Sequence, residues 1–283
     1  MYLIIEVRSG FMNFFEKVVY FLQAEMTRPN PFGWFHLMWI GLSVIAIIVL
    51  FLLRKKYNEK QLKTVLLIYG VVAFVLELIK QIIWSFNYDI NTGIGSWSYE
   101  WYAAPFQLCT TPIYVSLICL FLKKNKLRDG LLSYLSFITI LGGIMTILLP
   151  DSCFVETTLV NIHTMWLHCG SLVVSIYLLI IGEVKINFKS LKNAFVVFLV
   201  FVCLAELLNI GIYNSGILNG ETFNMFYISP YFTSHLPVYS TVQESVVFPV
   251  FIIFYIFSIA VGALVTYFTA KGINLIYNKI KKA

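Results

Sequence analysis

The feature that most constrains this chain is a series of seven apolar stretches, at about 32–53, 65–84, 103–122, 131–149, 159–181, 194–213 and 246–268. Each approaches the ~20 residues that a helix needs to cross a bilayer core. Only helices and closed barrels satisfy their backbone polar groups in hydrocarbon, and runs of this length belong to helices. Composition agrees. Charged residues make up 12% of the chain and hydrophobic ones 59%, with mean hydropathy +0.83; a soluble domain carries roughly 25% charged residues. The predicted class is an all-α membrane protein with seven transmembrane helices. Residues 1–31 form a segment of their own and 32–283 the transmembrane domain. In the first segment Phe11, Phe14, Phe15, Val18, Val19, Phe21 and Leu22 recur among Asn13, Glu16, Lys17 and Gln23 at helical spacing. That pattern predicts an amphipathic helix lying in the membrane interface.

The basic residues orient the chain. Sixteen of the twenty Lys and Arg lie in the segments after the first, third and fifth spans and in the carboxyl tail, and none follows the second, fourth or sixth. The positive-inside rule therefore places those segments and the carboxyl terminus in the cytoplasm, and the amino terminus outside. Trp34, Trp39, Trp84, Trp97, Trp101 and Trp166 then fall near the outer interface, where aromatic belts form. The net charge of +6 is thus a topology signal and not a nucleic-acid footprint. Five cysteines without CxxC spacing make neither a disulfide framework nor a zinc site. No cofactor is expected.

With topology assigned, the polar residues inside the spans share one depth. His36 opens the first span. Glu77, Lys80 and Gln81 lie in the outer half of the second. Gln107, Cys109, Thr110 and Thr111 open the third. His163, His168 and Cys169 lie in the fifth, Glu206 and Asn209 in the sixth, and Gln243 and Glu244 at the mouth of the seventh. Ionisable groups in hydrocarbon are costly and read first as functional. The opposite halves show almost nothing polar, so a one-sided pocket is expected and not a path through the membrane. Each group also has a plain structural reading. Glu77, Lys80 and Gln81 share a helix face and fit an intramembrane pair as well as a catalytic one. Glu206 and Asn209 share a face too. His163 and His168, five residues apart, stand about 140° apart around a helix and cannot chelate one metal as an i,i+4 pair does. Cys119, Cys153, Cys169 and Cys203 read as small hydrophobes.

Cys109 is different because of its setting. Pro105 suits a first helical position. Cys109 would then lie one turn inside a helix amino terminus, where the dipole favours a thiolate. Pro112 cannot donate to the Leu108 carbonyl, which predicts a kink and a free acceptor beside the thiol. A nucleophile needs a base and a group to orient that base. His168 or His163 can be the base and Glu77, Glu206 or Glu244 the orienting carboxylate. Gln107, Thr110, Asn209 and Gln243 can supply oxyanion donors.

Ala104-Pro105-Phe106-Gln107-Leu108-Cys109 is similar to the Leu-Pro-(Leu/Phe)-(His/Gln)-Leu-Cys signature of the YwaF-type bacterial membrane proteins, which are related to the transmembrane protein 164 acyltransferases. Leu76-Glu77-Leu78-Ile79-Lys80-Gln81, Trp166-Leu167-His168-Cys169-Gly170 and the loop Phe223-Asn224-Met225-Phe226-Tyr227-Ile228-Ser229-Pro230 also resemble segments of that family. Ala104, Cys169 and Phe223 depart from its pattern. The resemblance implies seven spans in a bacterial cell membrane and, from the eukaryotic branch, cysteine-dependent transfer of a fatty acyl chain from a phospholipid to a lyso-lipid. Here that means a Cys109 thioester at the outer leaflet, with Asn224 added to the residues around the substrate. Two other classes stay open. One is a receptor or accessory protein holding a small polar ligand between Glu77/Lys80 and Glu206. The other is a secondary transporter, disfavoured by the absence of internal repeats.

Overall fold

A computed structural model describes residues 12–89, 91–150 and 153–282. A short helix α1 (Phe14–Leu22) precedes α2 (Trp34–Leu53) and α3 (Glu59–Trp84). A two-stranded antiparallel hairpin follows, β1 (Phe86–Asp89) with β2 (Ile94–Trp97), in which Phe86 faces Trp97. Next come α4 (Thr111–Phe121), α5 (Lys126–Leu148), α6 (Thr158–Ile180), α7 (Phe188–Asn214), α8 (Pro237–Ser245) and α9 (Phe248–Lys282). Six of these, α2, α3, α5, α6, α7 and α9, are long and apolar enough to cross a membrane.

The expected third span is the exception. Its helix has only 11 residues, about 16 Å at 1.5 Å per residue. The chain before it passes through tight turns, with Phe106 N donating to Ala104 O at 2.8 Å and Thr110 N to Gln107 O at 2.9 Å. Pro112 sits at the start of α4, where a missing N–H costs nothing, and not at a mid-helix kink. The Leu108 carbonyl is not free either, because Thr111 Oγ1 donates to it at 2.7 Å. Cys109 therefore precedes the helix rather than lying a turn inside it.

The helix starts follow side-chain chemistry. Asn58, Asn125 and Asn187 cap α3, α5 and α7, each accepting from the backbone N–H three residues on. All three starts lie at the lysine-rich end. An Asn cap meets a donor that hydrocarbon would leave orphaned. At that end Arg128, 1% exposed, gathers Glu59 at 2.7 Å and Glu183 at 3.3 Å, with Lys124 3.5 Å from Glu183 and the Tyr57 hydroxyl bonded to Glu183. Burial and the Glu183 carboxylate push the Tyr57 phenol above its ordinary pKa, so it stays a donor. This network ties the ends of α3, α4, α5 and α6 together.

More than half of α5 and of α6 is buried, whereas α2, α7 and α9 expose most of their apolar surface, as lipid-facing helices do. Within α5 the residues Leu135–Thr139 form a π-helical turn. A turn of this kind frees a carbonyl. Leu135 O accepts instead from Thr139 Oγ1 at 2.8 Å and Ser175 Oγ at 2.5 Å. Buried Ser116, Ser133, Ser136, Ser171 and Ser175 thus make the interior more polar than expected from charged groups alone. At the opposite end α1 is closed by a reciprocal Asn13–Glu16 cap and buries Val19 against Ile83, Phe86 and Val160. Phe14 and Phe21 are exposed. Gln23 Nε2 donates to the Ile83 and Phe86 carbonyls, both at 2.6 Å, holding α1 to the end of α3. Phe11, counted in the amphipathic segment, lies outside the described residues.

Candidate active site

Helical spacing places Glu77, Lys80 and Gln81 on one face of α3, and α6 brings His163 against it. Glu77 Oε1 accepts from Lys80 Nζ at 2.7 Å and from Gln81 Nε2 at 2.8 Å. Glu77 Oε2 lies 2.8 Å from His163 Nε2, an ion-pair distance without hydrogen-bond alignment. His163 Nδ1 has no hydrogen-bond partner among the described residues. Glu77, Lys80 and His163 are 2%, 9% and 4% exposed, so the Glu77 and Lys80 charges compensate one another where water does not reach. Gln81 also donates to the Ala103 carbonyl at 2.6 Å, anchoring the turn that leads to Cys109.

Cys109 is half-buried and packs against the main core, within electrostatic range of Glu77 and Lys80. Tyr69, Tyr134 and Tyr255 belong to that same core. Cys153, read from sequence as a small hydrophobe, is also within range of the Cys109 thiol. His168 lies one helical face away from His163. Its ring rests on the α5 backbone, where a Cβ at Gly142 would stand 3.5 Å from His168 Nδ1. Gly143 allows the same approach, since a Cβ there would come within 2.7 Å of the His168 carbonyl oxygen.

The amides expected around the substrate do other work. Gln107 Nε2 donates to Asn224 O at 2.9 Å, and Gln107 Oε1 accepts from Phe226 N at 2.8 Å. Asn209 bonds both polar groups of Met225. Asn224 donates to Phe232 O and Thr233 O and accepts from Ser229 N. Gln243 donates to Ser229 O and Phe232 O and accepts from Ser234 N. Thr110 Oγ1 donates to Gln107 O. Together these groups bind the chain between 224 and 234 over the Cys109 turn. Phe226 and Tyr227 are held there with φ of 60° and 59°, a left-handed conformation that bulky residues avoid. Such strain persists only where surrounding bonds impose it. The Phe226 ring stacks on Phe106 at 5.9 Å.

A second segment closes from the other side. Trp101 N donates to Glu221 Oε2 at 3.2 Å, and Tyr102 meets the His235 ring at 5.3 Å. His235 also meets Tyr227; no helical pattern marks it in the sequence. Two predicted residues lie apart from this cluster. Glu244 is exposed on α8, not at the mouth of α9. Glu206 is half-buried on α7 with Oε1 unpartnered, and among the described residues it makes no ion pair with Lys80 or a histidine. His36 is buried, its Nδ1 accepting from Phe32 N at 3.1 Å. Among the described residues no three His, Cys, Asp or Glu side chains gather as a metal site would require.

The model of the TMEM164 family matches residues 31–267, and the chain belongs to that family. Comparison with curated proteins and with solved structures gave no match.

Proposed function

For a TMEM164-family chain with this site, we propose a membrane acyltransferase that moves a fatty acyl chain between lipids, or to a lipid-anchored acceptor, through a thioester on Cys109. The observation that carries the reading is the position of this thiol, within electrostatic range of Glu77 and Lys80, which form a buried cluster with His163, and under a loop that four amides hold in a strained shape.

The chemistry follows from these groups. The Cys109 thiol loses its proton to an imidazole, and the thiolate attacks the ester carbonyl of a donor phospholipid. The C–S bond forms, the ester C–O bond breaks, and the leaving lyso-lipid takes the proton from the imidazolium. An acceptor hydroxyl then gives its proton to the imidazole and attacks the thioester, returning the thiolate. A thioester is activated yet can await a second lipid. His163 is favoured as the base because Glu77 lies 2.8 Å from its Nε2 and Nδ1 has no partner among the described residues; a carboxylate at this distance would orient the imidazole for proton transfer once the two align. His168 is the second candidate. Segments 97–102 and 223–239 would keep water from hydrolysing the intermediate.

The chain would cross the membrane seven times, with about 103–122 as the third crossing, the amino terminus outside and the site facing the outer leaflet of a cell membrane. The lysine distribution supports this orientation. The receptor reading has less support, because Lys80 is committed to Glu77 and the polar amides to the loop.

Intact mass of the purified protein after incubation with a phospholipid donor tests the proposal. A hydroxylamine-labile acyl adduct is expected on the wild type and absent from Cys109→Ser, with lipid remodelling lost by several orders of magnitude. His163→Gln is expected to abolish adduct formation and His168→Gln to retain it; the reverse result would move the base to His168. A Cys109→Ser protein with full remodelling activity would overturn the mechanism.

A further inference from the structure

At the lysine-rich end a groove of about 550 Å³ opens between the start of α3 and the end of α4, lined by Glu59, Lys60, Lys63, Leu67, Leu120 and Phe121. Its size falls within the ~300–1,000 Å³ of ligand pockets. There the last residues of α4, Leu120 and Phe121, meet the first turns of α3. Lys60, Lys63 and Leu67 fall at i, i+3 and i+7 on one face of α3, so two ammonium groups stand one turn from an apolar wall. Phe121 and Leu67 are 85% and 47% exposed. Glu59, the acidic group of the rim, is already bound by Arg128 at 2.7 Å. Among the described residues no ion pair engages Lys60 or Lys63.

We propose that this groove holds an anionic phospholipid of the leaflet at the lysine-rich end, its phosphodiester on Lys60 and Lys63 and an acyl chain along Leu67, Leu120 and Phe121. Two cations that no ion pair engages among the described residues, beside apolar surface, complement a negatively charged headgroup joined to a hydrocarbon tail, and fit a zwitterionic lipid less well. The site lies at the opposite end of the bundle from Cys109. It does not depend on the acyl-transfer reading.

The experiment is native mass spectrometry of the detergent-purified chain with phosphatidylglycerol or phosphatidylcholine, paired with thermal melting. One phosphatidylglycerol is expected to be retained at least about tenfold in preference to phosphatidylcholine and to raise the melting temperature. Lys60→Gln/Lys63→Gln is expected to remove both effects. Lys60→Arg/Lys63→Arg, Cys109→Ser and the equal charge change Lys185→Gln/Lys189→Gln are expected to keep them. Equal retention of the two lipids, an unchanged preference in Lys60→Gln/Lys63→Gln, or equal stabilisation by inorganic phosphate alone would overturn the proposal.

Discussion

At the residue scale the most informative group is Glu77, because it serves the fold and the proposed chemistry at once. Its carboxylate is 2% exposed and has Lys80, Gln81 and His163 around it. Glu77→Gln keeps the size but strands the Lys80 ammonium. Breaking a buried pair in this way costs about 3–5 kcal/mol, which should appear as a large fall in melting temperature in detergent. Glu77→Gln/Lys80→Met removes both charges and is expected to recover most of that loss, since replacing a buried pair by apolar groups is often neutral. Acyl transfer should not recover, because the orienting carboxylate for His163 is gone. A double variant that is stable and fully active would reduce the cluster to a structural pair. Cys109 acts at the same scale but is nearly the reverse case: it packs against the apolar core, and its proposed reactivity depends on neighbours that other elements deliver.

At the scale of elements the close crossing of α5 and α6 sets where those neighbours stand. Gly143 permits it, for an added Cβ would meet the His168 carbonyl oxygen at 2.7 Å and Leu172 Cβ at 2.8 Å. Gly143→Ala must push the helices apart, and overpacking of this kind costs about 1–3 kcal/mol. Gly211→Ala on α7 meets nothing within 4 Å and is expected to stabilise by up to about 1 kcal/mol through helix propensity. Melting the two variants side by side, with acyl transfer measured on each, checks the pair. Hydropathy alone makes α2, α3, α5, α6, α7 and α9 legible, since hydrocarbon allows an apolar run few other structures. The segment before α4 is not legible that way. Gln107 looks like a polar residue entering a helix, and only the fold reveals that its amide grips Asn224 and Phe226, more than a hundred residues away. The same holds for Asn209 and Gln243, which the sequence places at the right depth, and for Asn224, which enters through the family resemblance: an amide aimed at substrate and one aimed at backbone read alike. The ion network at Arg128 is hidden for another reason, because topology reasoning counts Arg128 among the loop cations and never asks what it touches.

At the scale of the whole molecule the two ends are built differently, and this bears on which way the protein faces. One end has Asn-capped helix starts, the Arg128 network and the groove lysines at 60 and 63; the other has the hairpin, the strapped loop at 224–234 and the proposed site. Lysines are held on the cytoplasmic side during insertion, so the site end should face out. The hairpin tip at Asn91 and the turn at Lys123 are both exposed and lie at opposite ends. In a variant with Cys109, Cys119, Cys153, Cys169 and Cys203 replaced, Asn91→Cys should react with a membrane-impermeant maleimide on intact cells. Lys123→Cys should react only after permeabilisation. The opposite pattern would place the thiol and its histidine on the cytoplasmic side, where the acyl donor would come from the inner leaflet, and would place the Lys60–Lys63 groove in the outer one. Labelling of both positions in intact cells would mean that the chain inserts both ways, and then neither leaflet would be the exclusive source of donor lipid.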